Sequence, residues 1–179
     1  MDNKIKIGVI TATIIIVGGV IGYNFIGKDK SSVSNGSNVK SQVESESGKD
    51  VTYSDTYQSM LDKAYDEIKA GKKFNSETYD IYDLIHWMSN SVIEAKEGKK
   101  IGFLEPSPEN IEKLITILKD SNVNHKDFFI ETLGKWKKGE FVKVEDVHNT
   151  AWKMLDGNIG KATGPDNHEI NKLKEKYYK

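Results

Sequence analysis

The hydropathy pattern predicts an all-α protein: one N-terminal transmembrane helix, a flexible linker, and a compact bundle of five to six short helices. Three observations carry this reading. Residues 7–26 run for twenty positions without a charge. Residues 27–52 are rich in Ser, Asn, Gly and charge and show no periodic apolar face. From Tyr53 onward apolar residues recur at helical spacing, and no stretch alternates cleanly enough to read as a strand.

The uncharged run, IGVITATIIIVGGVIGYNFI, holds ten Ile or Val residues. At a rise of about 1.5 Å per residue it spans roughly 30 Å, the thickness of a bilayer's hydrocarbon core. Those ten side chains favour insertion by on the order of 3 to 6 kcal/mol, offset in part by the Gly, Thr and Asn positions. A cleaved signal peptide is the weaker alternative, because its apolar region is shorter and no Ala-x-Ala site follows here. Lys4 and Lys6 precede the run and Lys28 and Lys30 follow it, so Lys bias alone does not orient it. The short flank of residues 1–6 is expected to stay inside, which puts the C-terminal domain outside the cell membrane in a single-pass topology. Gly18 and Gly22 form a G-x-x-x-G pair that would let two such helices approach closely as a homodimer. The competing reading is that Gly is simply common in membrane helices.

Residues 27–52 cannot bury enough apolar surface to offset the entropy of ordering, so they read as a tether. Twenty-six such residues give a span of about 25–30 Å and a reach of roughly 90 Å when extended. The domain at 53–179 is therefore expected to work near the membrane surface.

Within that domain, Asp55 and Gln58 suggest a capping box opening a first helix with the face Tyr57, Met60, Leu61, Ala64 and Ile68, closed by Gly71. A second is expected from near Ser76, carrying Ile81, Leu84, Ile85, Met88 and Val92 and ending at Gly98. Ser107-Pro108-Glu109 announces a third: a cap, a first-turn Pro and an acid at the positive helix end. Its face is Ile111, Leu114, Ile115 and Leu118. A fourth runs from about Asn124 to Lys138 with Phe129, Leu133 and Trp136 inward, and a fifth from about Val144 to Leu155 with Val144, Val147, His148 and Ala151. Asp166 and Glu169 suggest a second capping box before a last helix bearing Ile170, Leu173 and Tyr177. The short connections predict antiparallel neighbours.

Composition excludes several functions. The chain has 26 basic residues, all Lys, against 27 acidic ones, for a net charge of −1. Without the Arg fork and without net positive charge, it is a poor binder of nucleic acid. With no Cys, thiolate zinc sites, Cys nucleophiles, disulfides and lipidation at an N-terminal Cys are ruled out.

Several residues tempt a functional reading. The stretch from Gly157 to Gly164 looks like a phosphate loop but has two residues between its glycines, Ala162 after Lys161 and a helix before it, so it reads as a helix terminator and turn. The Lys pairs at 72–73, 99–100 and 137–138 sit beside glycines at predicted helix ends, where cations suit the helix dipole. A patch for an anionic polymer is the alternative. His86, His125 and His148 all fall on predicted helices, with Asp146 two residues before His148, and imidazoles on facing helices can converge on a metal. No helix carries a close His pair, however, so hydrogen-bonded or half-exposed imidazoles are favoured and no cofactor is expected. Trp87, Trp136 and Trp152 read as core or semi-core anchors. The candidate binding surface comprises His86, His125, Trp136, Asp146, His148, Trp152 and Lys161.

Four blocks carry a resemblance: IHWMSNSVIEAKEG at 85–98, PSPENIEKL at 106–114, HKDFFIETLGKWKKGEF at 125–141 and DVHNTAWKMLDGNIGKATG at 146–164. The specific parts are Trp136-x-x-Gly139 and His148-Asn149-x-x-Trp152 leading into Gly160-Lys161-Ala162-Thr163-Gly164. Together they resemble an uncharacterised domain family of small membrane-anchored or exported proteins in Bacillus-type Gram-positive bacteria. The resemblance implies a Gram-positive host and a cell-surface location, and it supplies no activity. It also implies a second His where this chain has Asn90, so a metal pair with His86 would be missing here.

The function expected is a non-enzymatic, membrane-tethered module that binds a protein or envelope component. The alternatives are a metal-assisted or carboxylate-dependent cell-wall hydrolase, and a dimeric envelope scaffold.

Overall fold

The computed structural model describes residues 44–45, 51–74 and 79–179. The apolar run with Gly18 and Gly22, and most of the linker, lie outside the described residues. None of the described helices is long and apolar enough to cross a membrane.

In chain order the elements are β1 (Glu44–Ser45), α1 (Asp55–Lys69), α2 (Ile81–Asn90), β2 (Ile93–Ala95), β3 (Lys100–Ile101), α3 (Pro108–Lys119), α4 (Lys126–Trp136), α5 (Val144–Met154), β4 (Ala162–Pro165) and α6 (Asn167–Tyr177). A short 3₁₀ turn, Lys96–Gly98, separates β2 from β3. The domain is mostly helical, with six α-helices among the described residues.

The strands were not expected. β2 pairs antiparallel with β4, Ile93 opposite Pro165 and Ala95 opposite Ala162, with a register irregularity after Glu94. β1 pairs antiparallel with β3. Ladders of two to four residues are too short to display the period-two alternation by which strands are recognised.

The same local chemistry corrects two helix starts and one end. Ser54 is the N-cap of α1, without a side-chain cap, and Gln58 instead bonds Asp62 and Asn110. Asp80 opens α2 through a complete capping box with Asp83, four residues later than Ser76. α2 stops at Asn90 rather than Gly98, because residues 91–92 turn and the chain goes on as β2 from Ile93, with Val92 and Ile93 buried in the core. The signals at α3 and α6 hold: Ser107 Oγ accepts from the Asn110 amide, and Asp166 accepts from the Glu169 amide. Trp136 ends α4, and its indole N–H donates to the Val142 carbonyl at 2.8 Å.

The packing does not follow sequence order. α3 is flanked by α1 and α4, while α2 packs mainly on α5, and β2 and β4 lie along α5. The shared core contains Leu61, Leu84, Met88, Leu114, Leu118, Phe129, Leu133, Trp136 and Val147, all without solvent exposure. Burial of each such side chain contributes on the order of 1.5–3 kcal/mol.

Candidate functional site

The seam between α2 and α5 differs from an ordinary apolar interface. Residues 88–91 read Met-Ser-Asn-Ser, and all four are buried. Burying hydrogen-bonding groups costs stability unless each finds a partner, and here each does. Ser89 Oγ donates to the His86 carbonyl, and Ser91 Oγ donates to the Leu104 carbonyl. Asn90 Nδ2 donates to the carbonyls of Ile101 at 2.8 Å and Gly102 at 3.0 Å. Asn90 thus clamps the end of β3 onto α2.

Because both Asn90 amide protons are spent on carbonyls, its Oδ1 can only accept. His148, wholly buried on α5, places Nε2 2.9 Å from that oxygen. A neutral imidazole has one N–H, so the proton sits on Nε2 and points at Asn90. Nδ1 faces Asn149 Oδ1 at 3.3 Å, an oxygen that already accepts from the Ala162 amide at 2.9 Å. Asn149 also donates to the Ala162 carbonyl, so its amide grips β4 on both sides of one residue. The His148-Asn149 pair therefore fixes α2 and β4 at once.

His86 lies against this node, its ring centroid 4.7 Å from that of His148 with a 42° tilt. Burial pulls the His86 imidazole down to about 4. His148 falls to about 3, through burial first and then through His86 and Lys100. Both are neutral at physiological pH. The His86 ring nitrogens take no hydrogen-bond partner among the described residues, whereas His148 commits its Nε2–H to Asn90.

His86 and Asn90 line a cleft of about 210 Å³, walled by Lys99, Lys100 and Ile101 on one side and by Trp152, Leu155 and residues 157–160 on the other. The Lys100 ammonium is occupied by the Ile93 carbonyl at 2.9 Å and Asp166 at 3.6 Å. Burial lowers its affinity for a proton, and Asp166 opposes that shift. The wall at 157–160 has its own construction. Trp152 Nε1 donates to the Ile159 carbonyl at 2.8 Å, and a Cβ on Gly157 would overlap the indole ring. Gly160, at φ +78°, lies so close to β3 that a Cβ would sit 2.6 Å from the Lys99 carbonyl.

Ile101 and Ile159 stand at this cleft, 42% and 52% exposed, and only Val142 joins them as an exposed large apolar side chain among the described residues. Apolar side chains gathered at one concave feature are a mark of contact surfaces, whereas singly scattered ones are ordinary.

Of the sequence-predicted residues, His86, His148 and Trp152 come together at or behind this cleft. Trp136 does not, being wholly buried in the core. His125 is not within a helix: it is the exposed N-cap of α4 in the left-handed region, at φ 60°. Asp146 is exposed in the first turn of α5 and makes no ion pair with His148. Lys161 is exposed, and its carbonyl accepts from the Lys96 amide. The second Lys pair does not cap a helix end, since Lys100 is a buried strand residue. Nor is residues 157–164 merely a turn, because its last part is β4. Among the described residues no three His, Asp or Glu side chains group closely enough to share a metal. Sequence reasoning missed Asn149, Ile101 and Ile159 as site residues and saw Asn90 only as the place of an absent His. The four-residue spacing of His86 and Asn90, one helical face, was the available signal.

Residues 85–179, just over half the chain, match a family of unknown function, DUF6241. The chain belongs to this family. The match begins at the residue where the sequence blocks begin and takes in α2 from Ile85 onward, α5, β2, β3, β4 and the cleft, while α1 and the first turn of α2 lie outside it. The DUF6241 segment therefore contains every residue of the His148–Asn90–Asn149 node. No curated protein and no solved structure matches the chain.

Proposed function

We propose that this protein is a membrane-tethered binding module working outside the cytoplasmic membrane of a Gram-positive bacterium, with the cleft beside His86 and Trp152 as its contact site. The observation that carries the reading is that two exposed large apolar side chains, Ile101 and Ile159, line the same concave, mostly apolar feature. The uncharged run at 7–26 and the polar stretch after it support the proposed placement.

The chemistry of the node favours binding over hydrolysis. A general base works best with a pKa near the operating pH, whereas His86 is held at about 4. His148 is out of solvent and hydrogen-bonded on the Asn90 side. A neutral imidazole whose ring nitrogens take no partner among the described residues, lining a mostly apolar cleft, suits recognition of a polar group on an otherwise apolar ligand.

The test is a photo-crosslinking residue at Ile159 in intact cells, with one at Lys119, outside the cleft, as reference. Adducts formed from Ile159 alone, together with loss of the C-terminal domain when protease is added to whole cells, support the module. Identical adduct patterns at both positions, or a domain untouched by protease, would overturn it.

A further inference from the structure

Resting on that reading of the cleft, we infer that its ligand is an extended acidic peptide segment, which pairs with the edge of β3 and inserts one apolar side chain beside His86. Three features of the site converge on this class. First, the edge of β3 already carries an extended segment. Glu44 pairs with Ile101 and Ser45 with Lys100, antiparallel, although more than fifty positions of chain separate them. Strand addition takes its affinity from such main-chain bonds and its specificity from pockets for alternate side chains.

Second, β3 is itself a wall of the cleft, through Lys100 and Ile101, with Lys99 just before it. A paired strand lies about 5 Å away, so a segment on β3 passes within side-chain reach of the opening. A volume of about 210 Å³ is below the roughly 300–1,000 Å³ of sites that enclose a whole small molecule. It is suited to a single side chain held by a backbone anchored outside.

Third, the charges match. Lys96, Lys99 and Lys161 are exposed in this region and outnumber the neighbouring exposed Glu94 and Glu97, joined through the bond from the Lys96 amide to the Lys161 carbonyl and the approach of Gly160 to the Lys99 carbonyl. Glu44 and Ser45, the residues paired with β3, stand in the sequence between Val43 and Glu46, so the local sequence holds two acids and one apolar residue. The tether is thus an internal stand-in for the partner and competes with it for the edge.

The experiment uses the full chain in detergent micelles and a fluorescein-labelled peptide of residues 40–48. Binding is read by anisotropy for wild type and for the double variant Glu44→Pro/Ser45→Pro, which removes two tether amides and disfavours strand pairing. The variant should bind the peptide roughly ten-fold more tightly, the gain expected if the tether holds the edge about nine-tenths of the time. Amide exchange over residues 99–102 should quicken in the variant and slow again when peptide is added. A second peptide with both Glu replaced by Lys should bind more weakly. Equal affinity of wild type and variant, unchanged exchange, or equal affinity for the two peptides would each overturn the inference. Should Ile159 adducts persist in cells while the peptide fails, the cleft remains a binding site and only the peptide class falls. Peptide binding without Ile159 adducts would instead remove the cellular reading.

Discussion

The α1–α3–α4 wall and the α2–α5 seam are built from the same helix type by opposite means. In the wall, buried polar side chains sit mainly at helix boundaries: Ser107 caps α3, and Ser121 donates to the Leu118 carbonyl just past its end. The interior contacts are Leu61, Leu114, Leu118, Phe129 and Leu133. In the seam, Ser89, Asn90 and Ser91 close α2 and His148 lies within α5; all four are buried against the facing elements, and each is held by a directed bond. Apolar burial is non-directional and tolerates repacking, whereas a buried polar network holds one arrangement and is costly to leave half satisfied. The wall supplies stability, and the seam supplies the geometry that sets β3, β4 and the cleft.

The largest effect should come from the wall. Trp136→Ala empties the space of the bulkiest fully buried side chain and leaves the Val142 carbonyl without its donor. A loss of roughly 3–5 kcal/mol is expected, read as a fall in the urea midpoint at pH 7.5. A change under about 1 kcal/mol would show that the wall is not the stabilising half.

Next in size is acid sensitivity, which belongs to the seam alone. His86 is held at about 4 and His148 at about 3, against an ordinary value of 6.5. Above pH 6.5 both imidazoles are neutral folded or unfolded and contribute nothing to the pH dependence. As pH drops below 6.5 the unfolded chain takes up protons that the folded one refuses, so stability falls until the folded values are reached. For His86 alone the loss between pH 7.5 and 5 is roughly 2 kcal/mol. Urea titrations across that range should show the decline, and His86→Gln should make it shallower. A pH-independent midpoint would mean that the pair is solvated.

How much of this was legible follows the same division. The faces of α3, α4 and α6 could be written down from spacing, because apolar periodicity and caps are local signals; Ser107-Pro108 and Asp166 sit where their chemistry demands. The seam was not legible in the same way. Asn90 and His148 are 58 positions apart, and nothing in either neighbourhood says that an amide and an imidazole will meet. β2, β3 and β4 were missed because their length hides their period. His125 was placed in the first turn of a helix rather than at its N-cap because a left-handed N-cap leaves no mark on apolar spacing.

A third test separates the seam's bonds from its volume. Asn90→Leu keeps the side chain's size but frees the carbonyls of Ile101 and Gly102 and the Nε2–H of His148. Leaving such groups unpaired should cost roughly 1–3 kcal/mol, and amide exchange over β3 should rise more than over α3. Equal exchange in both regions would deny Asn90 its role as a clamp.

The smallest expected effect on stability is the most informative about function. Ile159 is about half exposed, and only its backbone carbonyl is engaged, by the Trp152 indole. Ile159→Ser keeps that carbonyl and removes only the apolar surface offered to solvent, so stability should change by no more than about 0.5 kcal/mol. If Ile159 were there for folding, its removal would register in the urea midpoint. If it forms the lip of a binding site, the midpoint stays and ligand contact is lost. In the β3 peptide assay, affinity should then fall several-fold, the order expected from removing one partly buried aliphatic contact of about 1 kcal/mol. A midpoint shift with unaltered peptide affinity would reverse the assignment and return residues 157–160 to the structural half of the molecule.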